Sequence, residues 1–500
     1  MKKVILLVIS TVLLIGFLLG FIEVVNKETT ENKEVFTYSV SSVPSDFKSV
    51  GNLDKRVQDI VCATSRGLVE LNASKDIVPS LSEGVKVSED GLEYDFKIKS
   101  DIYWSDGTQI TPKDIVAFFR EILTEENEKN IGALLNVYGA KNFRDGEGSF
   151  TENVGIRAGE DNVVFRLNSK DDKFIKELTE PQYRLRKNVL LWENIKQNYD
   201  KLIYSGCYEI SEMTITELTL KRNSNINPKL VETIKIVDDE GEELAMAAFE
   251  VGGRDIVINP PKSQLSRLSR ENRLITLESN KAMYLTFNPN SDIIPLEGKK
   301  DIYRLLNRSM EQYQLENSMF IGLAEGSYFR EDKEDLLKLQ ARKVMSNEIV
   351  QWDKPEEVVL VAEESTQNKE ICEYIVEWFK NNTDIYLSYK LITKEEVTSI
   401  KDVNYYNIAL IQGDSSISSN NSIYSVLINF LPEKHRSQLL LAKTEGEKLN
   451  TFSKLEDELF NTYQMLPLVF YNDNIAVNSR IKNMILDGNG NIDYNKIEKS

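Results

Sequence analysis

The chain has 500 residues, 41% of them hydrophobic, which is enough apolar material for a large core in more than one domain and excludes general disorder. Lys and Arg number 61 against 79 Asp and Glu, a net charge of -18 that repels a phosphate backbone and argues against a nucleic-acid partner. Cys62, Cys207 and Cys372 match no zinc spacing, and the sole histidine, His435, sits in the polar run Glu433-Lys434-His435-Arg436, so no metal, cofactor or catalytic centre is expected.

Lys2 and Lys3 precede Val4 to Ile22, an uncharged stretch of about 19 residues that reaches about 28 Å as a helix, close to the hydrocarbon thickness of a bilayer. The two lysines favour a cytoplasmic amino terminus and a folded part on the outside. A cleaved signal peptide needs a shorter apolar region ending in small residues, whereas Phe21-Ile22-Glu23-Val24-Val25 stands here. A lipoprotein signal needs a cysteine directly after the apolar stretch, and the first cysteine is Cys62. Residues 1–25 are therefore read as an uncleaved transmembrane helix and 26–34 as a polar stalk.

Val35 to Val40 predicts an opening strand. Val85 and Val87 precede the turn Glu89-Asp90-Gly91, after which Leu92, Tyr94, Phe96 and Ile98 alternate with charged residues, the pattern of a hairpin with one buried face. Thr111-Pro112-Lys113-Asp114 reads as an N-cap, a proline at the first helical position and an acid at the third. In the helix that follows, Ile115, Phe118, Phe119 and Ile122 face a core. Further on, Tyr284 to Asn288 reads as a strand, and Ile302, Leu305, Leu306, Ser309 and Met310 lie at helical spacing. Val358 to Val361, a helix over Asn368 to Lys380, and Ile385 to Tyr389 predict a strand-helix-strand unit of an α/β layer. Asn407 to Ile411 reads as a strand running into a loop at Gln412-Gly413-Asp414 and the Ser/Asn run Ser415 to Ser422. Leu466 to Phe470 predicts a closing strand. The three cysteines are read as buried apolar residues, with a Cys62 to Cys207 bridge as the alternative. Asp171-Asp172 and Asp238-Asp239-Glu240 are read as solvated turns and helix starts rather than metal ligands.

Five blocks in order carry a resemblance: Gly67-Leu68-Val69, Pro79-Ser80-Leu81, Ser88 to Phe96, Tyr103-Trp104-Ser105-Asp106-Gly107-Thr108, and Thr111-Pro112-Lys113-Asp114-Ile115. Together they resemble the oligopeptide-binding (family 5) type of extracellular solute-binding protein, the substrate-binding component of an ABC transporter. The resemblance continues through Gly206 to Ile210, Leu218 to Asn223 and Gly253 to Val257. It implies an α/β, two-lobed periplasmic-binding-protein-like (Venus-flytrap) fold with an inserted subdomain. Residues 35–70 and 201–281 would belong to lobe I, 71–200 to the insertion, 282–467 to lobe II and 468–500 to the return into lobe I.

The implied function is capture of a small ligand, a peptide above all, and its delivery to an ABC transporter permease, without catalysis. The second reading is a receptor-like or degenerate binding module that signals or scaffolds without transport. Peptide-binding relatives carry a tryptophan, aspartate and proline near the carboxyl end of a second-lobe strand. Here Gln412-Gly413-Asp414 and Ser415 stand there, with Asp414 a shifted match, and Arg66 precedes Gly67-Leu68 where relatives commonly carry glutamate. The implied ligand-binding residues are Arg66, Gln412, Gly413, Asp414 and Ser415, and Trp104 is assigned a structural role.

Overall fold

A computed structural model describes residues 35–40, 42–223, 229–238, 241–330, 351–400, 405–415, 437–438, 451–452, 459–460, 462–463 and 465–499. They divide into two compact units: the described residues up to Pro261, Arg270–Leu274 and the described residues from Ile475 onward form the first, and Lys262–Ser269 with the described residues between Ile275 and Asn474 the second. The anchor and stalk assigned to residues 1–34, and His435, lie outside the described residues. Among the described residues no helix is long and apolar enough to cross a membrane.

The first unit opens with the strand Val35–Val40, which runs parallel to Thr233–Asp238 in a four-stranded sheet completed by Glu217–Arg222 and Tyr208–Met213. Helix Lys55–Thr64 follows, its first turn held by Asp54, whose carboxylate accepts from the Arg56 amide. A second, antiparallel sheet runs in the order Ser82–Val87, Glu93–Ile98, Asn162–Arg166, Ile156–Ala158. Its first two strands are the expected hairpin. Gly91 takes φ +71° in the turn, a left-handed conformation that suits glycine, and Tyr94, Phe96 and Ile98 are buried.

Helix Pro112–Glu125 begins as expected: Thr111 and Asp114 form a reciprocal capping box, and Ile115, Phe118, Phe119 and Ile122 are buried. Phe119 meets Phe165 of the sheet edge-to-face at 4.9 Å. One hydrophobic core gathers residues from Leu68 to Val189, Trp104 among them. All three cysteines are free, so the alternative of a bridge between Cys62 and Cys207 does not hold. Burial pushes the Cys62 thiol up to about 12 and Cys207 to about 11.

The second unit is built on a mixed sheet in which Val358–Glu363 lies between two parallel neighbours, Leu387–Ile392 and Ile408–Asp414. Ile408–Asp414 then pairs antiparallel with Leu274–Phe287, which neighbours Met465–Val477. Leu274 and the end of Met465–Val477 belong to the first unit, where Ile475–Val477 pair with Ile256–Ile258. Helix Thr366–Asn382 makes the crossover between Val358–Glu363 and Leu387–Ile392 and starts two residues before the expected Asn368, because Ser365 caps it by accepting from the Asn368 amide. The strand after it starts at Leu387 rather than Ile385. Thr383 takes up the exit from the helix: its hydroxyl donates to the Phe379 carbonyl at 2.9 Å and accepts from the Ile385 amide at 3.1 Å.

Candidate functional site

Arg66 stands in the first unit, just past the helix Lys55–Thr64, and is half-buried. Its Nη2 donates to the Ser80 carbonyl at 3.0 Å, its Nε lies 3.4 Å from Ser80 Oγ, and its amide donates to Ser205 Oγ at 3.1 Å. Ser80 Oγ in turn donates to Glu70 at 2.8 Å, and Arg184 stands 3.4 Å from the same carboxylate oxygen. Burial pushes the Glu70 carboxyl up, but Arg184, Ser80 and Arg66 outweigh it and leave it below the ordinary glutamate range. Arg66 thus presents a guanidinium whose own bonds go to neutral oxygens.

The other four expected residues belong to the second unit. Gln412, Gly413 and Asp414 were expected in a loop, yet they continue the strand, with Gln412 opposite Met283, Gly413 opposite Ala282 and Asp414 opposite Lys281. The cause lies in the partner: the 14-residue strand Leu274–Phe287 offers backbone groups well beyond Ile411, and pairing overrides weak strand propensity. Gln412 Nε2 donates to Asn368 Oδ1 at 2.9 Å and lies 3.3 Å from Tyr471 Oη. Ser415 is fully buried, and its amide and hydroxyl both donate to the Asn280 carbonyl, at 2.6 and 2.7 Å. Its hydroxyl therefore holds the end of the sheet. The Ser/Asn run beyond Ser415 lies outside the described residues.

Strands Val358–Glu363 and Ile408–Asp414 are parallel, so their carboxyl ends lie on one edge, where α/β sheets bind ligands. The register places Lys281, Met283, Gln412 and Asp414 on one face of this edge. Helix Thr366–Asn382 contributes Gln367 and Asn368, and Met465–Val477 contributes Tyr471, whose hydroxyl approaches Met283 Sδ at 4.0 Å. Lys281 Nζ lies 3.3 Å from Gln367 Oε1 and 5.2 Å from the centre of the Tyr471 ring. Arg330 stands at the same end, donating to the Ser279 carbonyl at 3.0 Å and to Asn472 Oδ1 at 2.6 Å. Reasoning from the sequence missed Lys281, Gln367, Asn368, Tyr471 and Arg330, because only the register and the crossover bring them to Gln412. Among the described residues no group of three or more His, Cys, Asp or Glu side chains could hold a metal ion.

Residues 76–302 match the sequence model of bacterial extracellular solute-binding proteins, family 5 (middle). The oligopeptide-binding protein AliB of Streptococcus pneumoniae is 29% identical over 159 residues, 30% of this chain and 24% of AliB. A dipeptide-binding protein of Lactococcus lactis is 26% identical over 41% of this chain and 38% of its own length. The chain thus matches well under half the length of these two relatives. DppE, a dipeptide-binding protein of Bacillus subtilis, is 21% identical over 95% of this chain and 94% of its own. Among solved structures, an oligopeptide-binding protein of Borrelia burgdorferi has 16% identity and a TM-score of 0.64, covering 94% of this chain and all of that one. The murein tripeptide binding protein MppA of Escherichia coli gives 15% and 0.63, covering 93% and 98%. These likenesses give the two-lobed, periplasmic-binding-protein-like α/β fold. Residues 76–302 are thus similar to the bacterial extracellular solute-binding proteins of family 5, and the likeness to DppE runs over 95% of the chain.

Proposed function

We propose that this protein captures short peptides outside the cytoplasm and delivers them to the permease of an ABC transporter, acting by binding and without catalysis. The observation that carries the reading is the family match over residues 76–302. The relatives named above are oligopeptide- and dipeptide-binding proteins, which supports peptides as the ligand class. Arg66, Gln412, Gly413, Asp414 and Ser415 are assigned to ligand binding. In this reading Gln412 to Asp414 act through backbone groups at the carboxyl edge of their sheet, and the buried Ser415 acts by fixing that edge.

Residues 1–25 are assigned as a single-pass membrane anchor, motivated by the apolar stretch Val4 to Ile22, and 26–34 as a stalk. Residues 71–200 are assigned as a subdomain inserted into the first lobe, and the core running from Leu68 to Val189 supports that division. The binding claim is tested by thermal unfolding of the purified full-length protein with mixed-sequence di- to pentapeptides. Saturating peptide raises the midpoint by mass action. An unchanged midpoint with every mixture would refute peptide capture.

A further inference from the structure

Helix Glu242–Glu250 of the first unit buries Ala245, Met246 and Phe249 on its inner side. A helix packed in this way ordinarily turns charged residues to water on the other side. Here the outer stripe is Leu244, Ala247, Ala248 and, at the C-cap, Val251, four apolar residues at the spacing i, i+3, i+4, i+7. Leu244 is 57% and Val251 86% exposed, and Ala247 is exposed as well. Glu243 and Glu250 fall on the flank of the helix, and Glu250 stands 3.6 Å from Arg273. An unbroken apolar stripe rimmed by charge and turned to water marks a contact surface.

The Val251 end of this stripe is fixed beside the first strand. The Gly252 carbonyl accepts from Arg480 Nη2 at 2.6 Å, and Arg480 Nε donates to Asp255 at 2.6 Å. Asp255 is fully buried and also accepts from the Thr37 amide at 2.8 Å, while Lys499, 3.1 Å from the same carboxylate, donates to the Val35 carbonyl. The stalk assigned to residues 26–34 ends at Val35, and nine residues span at most about 30 Å. With the anchor assigned to residues 1–25, the stripe is held within that reach of the bilayer. Arg254 adds a cation whose guanidinium donates to a neutral oxygen, the Gly253 carbonyl at 3.0 Å, and suits a headgroup phosphate. A nine-residue helix about 13 Å long offers far less than the roughly 800 Å² per partner of a stable protein interface. A tethered face needs less, because the anchor presents it to lipid at high effective concentration.

We infer that the outer face of helix Glu242–Glu250 docks on the lipid surface of the membrane that holds the anchor, with Leu244 and Val251 as the inserted side chains; this rests on the anchor assigned above. The full-length protein is reconstituted in phosphatidylcholine vesicles with a thiol-reactive fluorophore at Val251→Cys or, as the reference, at Leu315→Cys, an 83% exposed position of the second unit. The parent, taken through the same labelling, gives the background from the three native thiols. A charged quencher in the water reaches the Val251 label at least about tenfold less well than the Leu315 label, and a quencher carried on the lipid shows the reverse order, because the face sits about 5–10 Å into the headgroup boundary. Leu244→Asp in the Val251-labelled protein restores access from the water while the protein stays with the vesicles. Equal access at the two positions, or protection undiminished by Leu244→Asp, would overturn the inference and leave the anchor standing. Protection from the water without quenching from the lipid would give the face to a second copy of the chain and overturn it too. Protein that fails to sediment with the vesicles would overturn the anchor, and the docking with it. If Val251→Cys fails to fold, as a changed urea midpoint reveals, the same comparison at Leu244→Cys, with Val251→Asp as the disrupting change, decides.

Discussion

Trp104 is 1% exposed and belongs to the core that spans Leu68 to Val189. Its backbone closes the turn that follows, accepting from the Gly107 amide at 2.9 Å and donating to the Thr108 carbonyl at 2.8 Å, and the Lys187 ammonium lies 5.0 Å from its ring centre. The indole Nε1 is buried and has no hydrogen-bond partner. Truncation to alanine removes a large aromatic from a closed core, which costs about 3–5 kcal/mol, and the cation–π contact adds about 0.5–1 kcal/mol. Removal of the unpaired donor returns about 1 kcal/mol. The net for Trp104→Ala is therefore about 2.5–5 kcal/mol, whereas Trp104→Phe keeps much of the burial, sheds the orphan donor and costs about 1–2 kcal/mol. Urea unfolding, followed by a probe confined to the first unit because two units need not unfold together, measures both. A loss below about 1 kcal/mol for Trp104→Ala, or equal losses for the two variants, would refute this account of the core.

Thr111→Ala removes the N-cap and half of the capping box and lowers stability by about 1 kcal/mol in the same urea assay. In Gly206→Ala the new Cβ would collide with the backbone of Ala63, Thr64 and Ser65, so about 1–3 kcal/mol is lost. Burial, with Asp171 and Glu180 adding to it, pushes the Glu177 carboxyl up to about 7. Because the folded protein holds that proton more tightly than the unfolded chain, the stability contributed is complete below the ordinary glutamate pKa and is lost as pH rises through about 7. Glu177→Gln is accordingly neutral at acid pH and stabilising by about 1–3 kcal/mol at pH about 8, as urea midpoints at the two pH values check.

Elements whose signals are local were legible in the sequence. The hairpin through Gly91 and the helix opened by Thr111-Pro112 each declare themselves within a few residues, through turn chemistry, alternation and capping. What depended on partners far along the chain was not. Gln412 to Asp414 read as a loop because their strand character is lent by Leu274–Phe287, and Lys281 carried no signal until the register set it opposite Asp414. Arginine is mostly exposed in folded proteins, yet Arg184 and Arg186 are both buried. Arg184 donates to the Cys62 and Ser65 carbonyls, and Arg186 to the Phe47 and Lys48 carbonyls. Burial pulls the Arg186 guanidinium down to about 10, against the pull of Glu126 and Glu121. Family blocks such as Tyr103 to Thr108 pointed to the fold because they encode turns and core contacts. The edge proposed to face the ligand is assembled from five separate segments, at Lys281, Arg330, Gln367, Gln412 and Tyr471, and leaves no contiguous motif.

The central claim, that the protein carries peptides, is tested most directly by native mass spectrometry of the full-length protein purified without added ligand, before and after denaturation. The account predicts a set of added masses corresponding to short peptides, released when the protein unfolds and regained on refolding with the same peptides. A single mass equal to that of the bare chain, unchanged after exposure to diverse peptides, would contradict it.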